Sequence, residues 1–163
     1  MNARDILSKY WGYSSFRAKQ EDVIENIINN KDILAIFPAG EGKSLCYQVP
    51  ALMKTGICLV ISPLISLMTD QLRFLSSKGI KSIAINKNIN LNEIDDIFNK
   101  CKFGAIKFIF LSPERLQNII IKNKLAEINI NLIAVDEAHC ISEWGHQFRP
   151  SFRKISELRS IFP

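Results

Sequence analysis

The residues with the clearest chemistry lie in two short stretches. In the first, Gly40, Glu41, Gly42, Lys43 and Ser44 set two glycines beside a lysine and a hydroxyl. Glycines reach backbone angles closed to other residues, so successive N–H groups can turn inward around an anion. Lys43 adds a mobile positive charge, and the Ser44 hydroxyl suits Mg²⁺. Residues 37–44 therefore read as a phosphate-binding loop with two departures, and Ala39 to Leu45 as its nucleotide contacts. Phe37 stands where the first glycine is usual, and Glu41 places a carboxylate between the glycines. The N–H cradle rests on residues 39–44, and Pro38 and Gly40 can make the turn. Glu41 is compatible if its side chain projects to solvent while its N–H still donates. In the second stretch, Asp136, Glu137 and His139 follow the apolar run Leu132–Val135. Successive residues leaving a strand point in different directions, so the two carboxylates can divide two tasks. Asp136 can hold hydrated Mg²⁺ opposite Ser44, and Glu137 can orient or deprotonate a water attacking a terminal phosphate. His139 is placed to sense that phosphate. Acidic residues also favour a helix N-terminus, but a phosphate loop upstream makes catalysis the better reading.

Both stretches need a scaffold that brings them to one edge. Five apolar runs read as strands: 32–37, 56–62, 81–86, 106–112 and 131–136. Most are continuous rather than alternating, as in a parallel sheet covered on both faces. Helical patterns fill the gaps. Residues 17–29 carry an apolar face of Val23, Ile24, Ile27 and Ile28. Residues 63–78 run from Pro63 to a stop at Gly79. Residues 90–101 open on Asn90 and Glu93, a capping-box pair. Helices are also expected over 44–54 and 151–161. Alternating strands and helices give an α/β domain, whose ligands bind beyond the carboxyl ends of the strands.

The chain has 163 residues, enough for one domain over 1–163 with a real core. Its 47% hydrophobic and 23% charged composition is ordinary for a globular protein. No apolar run is long enough to span a membrane, and the N-terminus lacks a signal-peptide core. A formal charge of +5 suits a polyanionic partner without identifying one. The cysteines at 46, 58, 101 and 140 form no C-x-x-C pair, so reduced thiols are expected rather than a zinc or redox site.

"DEAH" after an apolar strand, paired with "GKS", resembles the nucleic-acid-dependent ATPases of helicase superfamily 2. The blocks "GYSSFRAKQ" (12–20), "GKSLCYQVPAL" (42–52), "VISPLISLMTDQL" (60–72), "LSPERL" (111–116) and "DEAHCISEWGHQFRPSF" (136–152) resemble the RecQ family of DNA helicases, in the family's order. The resemblance implies a RecA-like P-loop lobe, a mainly parallel sheet flanked by helices on both faces. It also implies ATP and Mg²⁺ as cofactors, and single-stranded and partly duplex DNA as partners. Its activity would be 3′–5′ unwinding, with roles in DNA repair and recombination. The expected compartment is the bacterial cytoplasm or nucleoid, or the nucleus in a eukaryote.

The resemblance also implies roles residue by residue. Tyr13, Arg17 and Gln20 match the residues that hold adenine, where planar groups can stack and an amide can read the base edge. Ser62 matches a segment that touches the phosphates of single-stranded DNA. Trp144 and Phe148 can stack on bases and Arg149 can bind the backbone. By composition alone, Trp144 and Phe148 suit burial against helix 151–161 equally well. Glu114 and Arg115 fit a helix cap and a surface ion pair, and carry no assigned role.

Four positions depart from the family: Ala39 replaces a threonine, Glu41 a glycine, Gln147 an aspartate and Phe152 a tyrosine. The chain stops at Pro163, before the Ser/Thr-Ala-Thr strand and the second motor lobe that the family carries. The sequence thus describes a lobe incomplete at its C-terminus, lacking the zinc-binding and winged-helix regions. It is expected to bind nucleotide weakly and not to unwind. The other reading is a catalytically silent fragment that binds DNA or a partner.

Overall fold

The computed structural model describes residues 1–38, 40–86, 89–142 and 149–162. The chain divides into two compact units, Met1–Thr55 and Gly56–Pro163. Among the described residues, no helix is long and apolar enough to cross a membrane.

The first unit is helical. α1 (Ala3–Trp11) opens on a capping box, in which the Asn2 side chain accepts the Asp5 N–H and the Asp5 side chain accepts the Asn2 N–H. It ends at Gly12 in the left-handed conformation. α2 (Ala18–Ile28) and α3 (Leu45–Met53) follow. Ile6, Ile24 and Val49, one from each helix, are buried together, and Phe16, Tyr10 and Trp11 pack around them. Phe16 is therefore a core aromatic.

The second unit holds a four-stranded parallel sheet in the order β2–β3–β1–β4. The strands are β1 (Ile57–Ile61), β2 (Ser82–Ile85), β3 (Phe108–Leu111) and β4 (Ile130–Val135). Central strands β1 and β3 are buried throughout, as their continuous apolar runs require, while the edge strands β2 and β4 are partly exposed. α4 (Ile65–Ser77), α5 (Leu91–Lys102), α6 (Pro113–Leu116) and α7 (Ile119–Ala126) connect them. The capping box at Asn90 and Glu93 forms in both directions. Ile94, Ile97, Phe98 and Cys101 of α5 bury into a core that includes Leu59, Ile109 and Leu111. Two 3₁₀ segments, Ala138–Ile141 and Pro150–Ser160, complete the unit.

One expected strand does not form. Residues 32–37 form no regular secondary structure, and Leu34 and Ile36 are 78% and 81% exposed. A strand is stabilised by its ladder and by packing on a neighbouring layer. Among the described residues, 32–37 have no ladder, so their apolar pattern alone does not make a strand.

The strand register positions the site. Ile85, Leu111, Ile61 and Val135 lie side by side at the carboxyl ends of their strands. The next residues, Asn86, Ser112, Ser62 and Asp136, therefore emerge along one edge. The ladder continues past the strands there: the Ser62 N–H donates to the Leu111 carbonyl at 3.1 Å, and the Asp136 N–H to the Ile61 carbonyl at 2.8 Å.

Candidate functional site

In the first unit, the glycine loop is braced from α2. Gln20 is only 2% exposed, and its amide is fully used. Its Oε1 accepts the Arg17 N–H at 3.0 Å, while Nε2 donates to the carbonyls of Glu41 (2.9 Å) and Gly42 (3.3 Å). Arg17 adds a bond from Nη1 to the Gly40 carbonyl at 3.3 Å. Carbonyls drawn toward α2 leave the opposite face of the loop to its N–H groups. Gly42 has φ +76°, and a Cβ there would lie 2.5 Å from Gln20 Nε2. Only glycine fits this position.

The Glu41 N–H donates to the Pro38 carbonyl at 3.4 Å, and its side chain is exposed. The carboxylate thus projects to solvent as expected, but its N–H closes the turn instead of joining a cradle. Among the described residues, the N–H groups of Gly42, Lys43 and Ser44 meet no protein acceptor. Ser44 begins α3 without capping it through its hydroxyl, so both groups remain available. Lys43 is exposed, and Tyr13 is 57% exposed with its ring open to a flat partner. Leu45 starts α3 and packs toward the unit's core. Ala39 lies outside the described residues. These donors suit a phosphate chain, and the Ser44 hydroxyl suits its magnesium ion.

In the second unit, β4 delivers Asp136 to the carboxyl edge. The chain then turns abruptly, because Glu137 has φ 52° and ψ 43°. This left-handed conformation is uncommon for any residue with a Cβ. The Glu137 N–H donates to the Asp136 Oδ1 at 3.0 Å, which closes the turn. Glu137 Oε2 lies 3.2 Å from His139 Nδ1, and His139 Nε2 is 3.9 Å from the Cys140 thiol. Burial raises the Cys140 pKa above the ordinary thiol value.

Ser62 is 2% exposed, and its buried Oγ has no hydrogen-bond partner among the described residues. The exposed side chains beside it are Leu64 and Ile65, where α4 begins. An open groove of about 1040 Å³ runs along α4 and β2 to the end of β3. Met68, Leu72, Ile83 and Ile85 give it an apolar floor, and Arg115 and Arg149 add positive charge. Among the described residues, the Nε and Nη2 of Arg115 are buried without a partner, a costly arrangement for a guanidinium. Trp144 and Phe148 lie outside the described residues, as does Gln147.

Sequence reasoning left two residues here without a role. Arg115 is one. Glu114 is the other, bonded to Ser151 and close to Arg149. The only signal available was their place directly after an apolar strand, where a sheet of this class puts its ligands.

Comparison with known proteins agrees with this arrangement. Over 161 residues the chain is 44% identical to the ATP-dependent DNA helicase RecQ of Pasteurella multocida, covering 99% of this chain and 26% of that protein. It is 45% identical to the probable ATP-dependent DNA helicase RecS of Bacillus subtilis, covering 96% of this chain and 31% of that protein. The chain thus spans about a quarter to a third of the length of these relatives. Among solved structures, the DUF1998 helicase MrfA bound to DNA and AMPPNP superposes with a TM-score of 0.65 at 23% identity, over 84% of this chain and 20% of that one. That likeness concerns the fold, a RecA-like lobe. Residues 17–162 match the DEAD/DEAH box helicase family, which takes in the loop, the acidic strand end and the groove between them in sequence, and the chain belongs to that family.

Proposed function

We propose that this chain is the ATP-binding part of the first motor lobe of a RecQ-like, 3′–5′ DNA helicase. The observation that carries the reading is the braced loop. Its carbonyls are tied back to Gln20 and Arg17, and the N–H groups of Gly42, Lys43 and Ser44 have no acceptor among the described residues. These N–H groups and Lys43 bind the phosphates, while Tyr13 and Arg17 flank the adenine. Gln20 acts mainly by holding the loop. Ser44 and Asp136 would hold Mg²⁺, which when bound neutralises charge on the terminal phosphates. Glu137 orients and deprotonates the attacking water. His139, paired with Glu137, links that carboxylate to the segment beyond it.

Single-stranded DNA is the proposed partner of the carboxyl edge. Trp144 and Phe148 stack on bases, and Arg149 and Arg115 face the backbone. The burial of Ser62 favours a DNA path along the exposed start of α4 over one on the Ser62 hydroxyl. A second lobe supplying an arginine to the nucleotide is worth about 10³–10⁵ in rate in related chemistry, so this chain alone hydrolyses ATP very slowly and does not unwind.

Calorimetric titration of Mg·ATPγS into the chain, with Lys43→Ala beside it, tests the reading. Heat of binding in the wild type that disappears in the variant is the expected result. Equal binding in both would remove the loop from the site, and turnover at motor-like rates would sink the half-site argument.

A further inference from the structure

We infer that the outer edge of β2 takes a short extended peptide of alternating apolar and acidic residues as an added strand. The inference does not depend on the nucleotide or DNA readings, and all its residues belong to the second unit. β2 ends the sheet on one side, and its pairing with β3 fixes which of its backbone groups are open. The carbonyls of Lys107 and Leu111 accept the N–H groups of Cys58 and Ser62 in β1 and just beyond it. Phe108 and Phe110 therefore turn their own groups the other way, towards β2. In a parallel ladder such residues bond to the two neighbours of the residue opposite them, not to that residue itself. The residues opposite are Ser82 and Ala84. The bonds to β3 thus fall to 81, 83 and 85, and the Lys81 carbonyl does accept the Lys107 N–H at 2.8 Å. Ser82 and Ala84 point their N–H and carbonyl groups away from the sheet. Among the described residues, neither N–H meets an acceptor.

The groove beside α4 runs along this edge. Successive strand residues place their side chains on opposite faces, yet every residue from Ser82 to Asn86 lines the groove. A groove lined from both faces follows the hydrogen-bonding edge of the strand. At about 3.3 Å per residue this run is about 16 Å long, and the volume of about 1040 Å³ leaves room for a short extended segment. Met68 and Leu72 supply apolar surface for every second side chain of such a segment. The charge is positive: Arg73, Arg115 and Arg149 line the groove with one carboxylate among the described residues, Glu114. Arg149 lies 3.7 Å from Glu114, whereas two Arg115 nitrogens have no partner among the described residues. Positive charge calls for an acidic partner. The outward carbonyls call for a donor, which a peptide backbone carries and a phosphodiester backbone does not.

The bland alternative is an ordinary sheet edge. Such edges are blunted by charge, proline, a bulge or shortness. β2 has four residues, none charged and none proline, in regular register with β3, so shortness alone protects it.

The test uses the whole chain and a fluorescein-labelled hexapeptide alternating valine and aspartate, with a valine–lysine hexapeptide and oligo-dT beside it. Fluorescence anisotropy reads affinity, and amide hydrogen exchange followed by NMR reads the edge. The acidic peptide should bind at least about tenfold more tightly than the basic one. At saturation it should slow exchange at Ser82 and Ala84 by at least about tenfold and change Ile83 little, because that N–H is already in the ladder. Arg73→Glu, on an exposed turn of α4, should weaken the peptide by about threefold. Ala84→Pro removes an outward N–H at a position that an edge strand tolerates, and should weaken it by about fivefold. Exchange at Ser82 and Ala84 decides the matter even if that variant does not fold. Equal binding of the two peptides, binding of neither, or unchanged exchange at Ser82 and Ala84 under bound acidic peptide overturns the inference. Protection of these amides by oligo-dT without binding of the acidic peptide gives the edge to nucleic acid and overturns it as well.

Discussion

Replacing Glu137 by glycine should leave the protein more stable than replacing it by alanine. The reason is the backbone. At φ 52° and ψ 43°, Glu137 sits in the left-handed region, which costs an L-residue about 1–2 kcal/mol relative to glycine. Glycine returns about 0.5–1 kcal/mol of that through its greater freedom in the unfolded chain. Both variants lose the 3.2 Å contact with His139, so the comparison cancels it. The net advantage of glycine over alanine is about 0.5–1 kcal/mol. Unfolding entropy near 2.1 cal/mol/K per residue converts this to a rise of about 1.5–3 °C in the unfolding midpoint. Parallel thermal melts followed by circular dichroism measure the difference directly. Glu137→Asn, with a side chain that tolerates left-handed geometry, should fall between them. If the alanine variant melts at or above the glycine variant, the turn after β4 carries no strain.

Two further outcomes follow from the local structure. Gly42→Ala puts a Cβ 2.5 Å from Gln20 Nε2 at φ +76°, so it should displace the Gln20 brace, destabilise the first unit by about 1–3 kcal/mol and remove Mg·ATPγS binding; nucleotide binding at wild-type affinity would refute the brace. The thiols should react slowly in the native chain, because burial raises Cys46 and Cys101 to about 11 and Cys58 further still. Their thiolates are then scarce at pH 8, and alkylation should run at least about tenfold slower than in urea-unfolded chain; equal rates would show that these helices and β1 open freely.

The phosphate loop and the acidic strand end were legible because their chemistry is written in adjacent residues. The central strands were legible because both of their faces are covered, which demands a continuous apolar run. The same signal failed at 32–37, where the apolar pattern is present and the ladder is not. Periodicity records which side chains would be buried in a sheet, not whether a partner strand exists. α1 was missed although Asn2, Asp5 and Gly12 mark its start and stop. α7 was missed because its apolar residues do not follow one face, and its start rests on Asn118 accepting the N–H groups of Ile120 and Ile121. Within the site, the bracing role of Gln20 was hidden because its loop partners lie 21 and 22 residues away. The turn at Glu137 was hidden for another reason. Glutamate has no preference for left-handed geometry, so only the backbone shows it.

Some of the costs in the second unit lie at the carboxyl edge of its sheet. β1 and β3 are buried and regularly paired, and their helices are capped by ordinary means. Three unfavourable features lie just past the strand ends: a left-handed Glu137 and, among the described residues, a buried Ser62 hydroxyl and two Arg115 nitrogens without a partner, while the Ser82 hydroxyl at the start of β2 and the Gln117 amide nitrogen after α6 are buried without a partner elsewhere in the unit. Each would be expected to cost about 1–3 kcal/mol. Selection for stability alone would remove them, since a glycine, an alanine and a leucine would relieve all three. A binding role for the edge that carries Asp136 and the basic groove would account for the retention of these three. The same logic separates the two loops of the site. In the glycine loop the strain-prone positions are occupied by glycine, so binding geometry comes without a penalty. After β4 a glutamate occupies such a position, which is justified only if its carboxylate is needed where that turn places it.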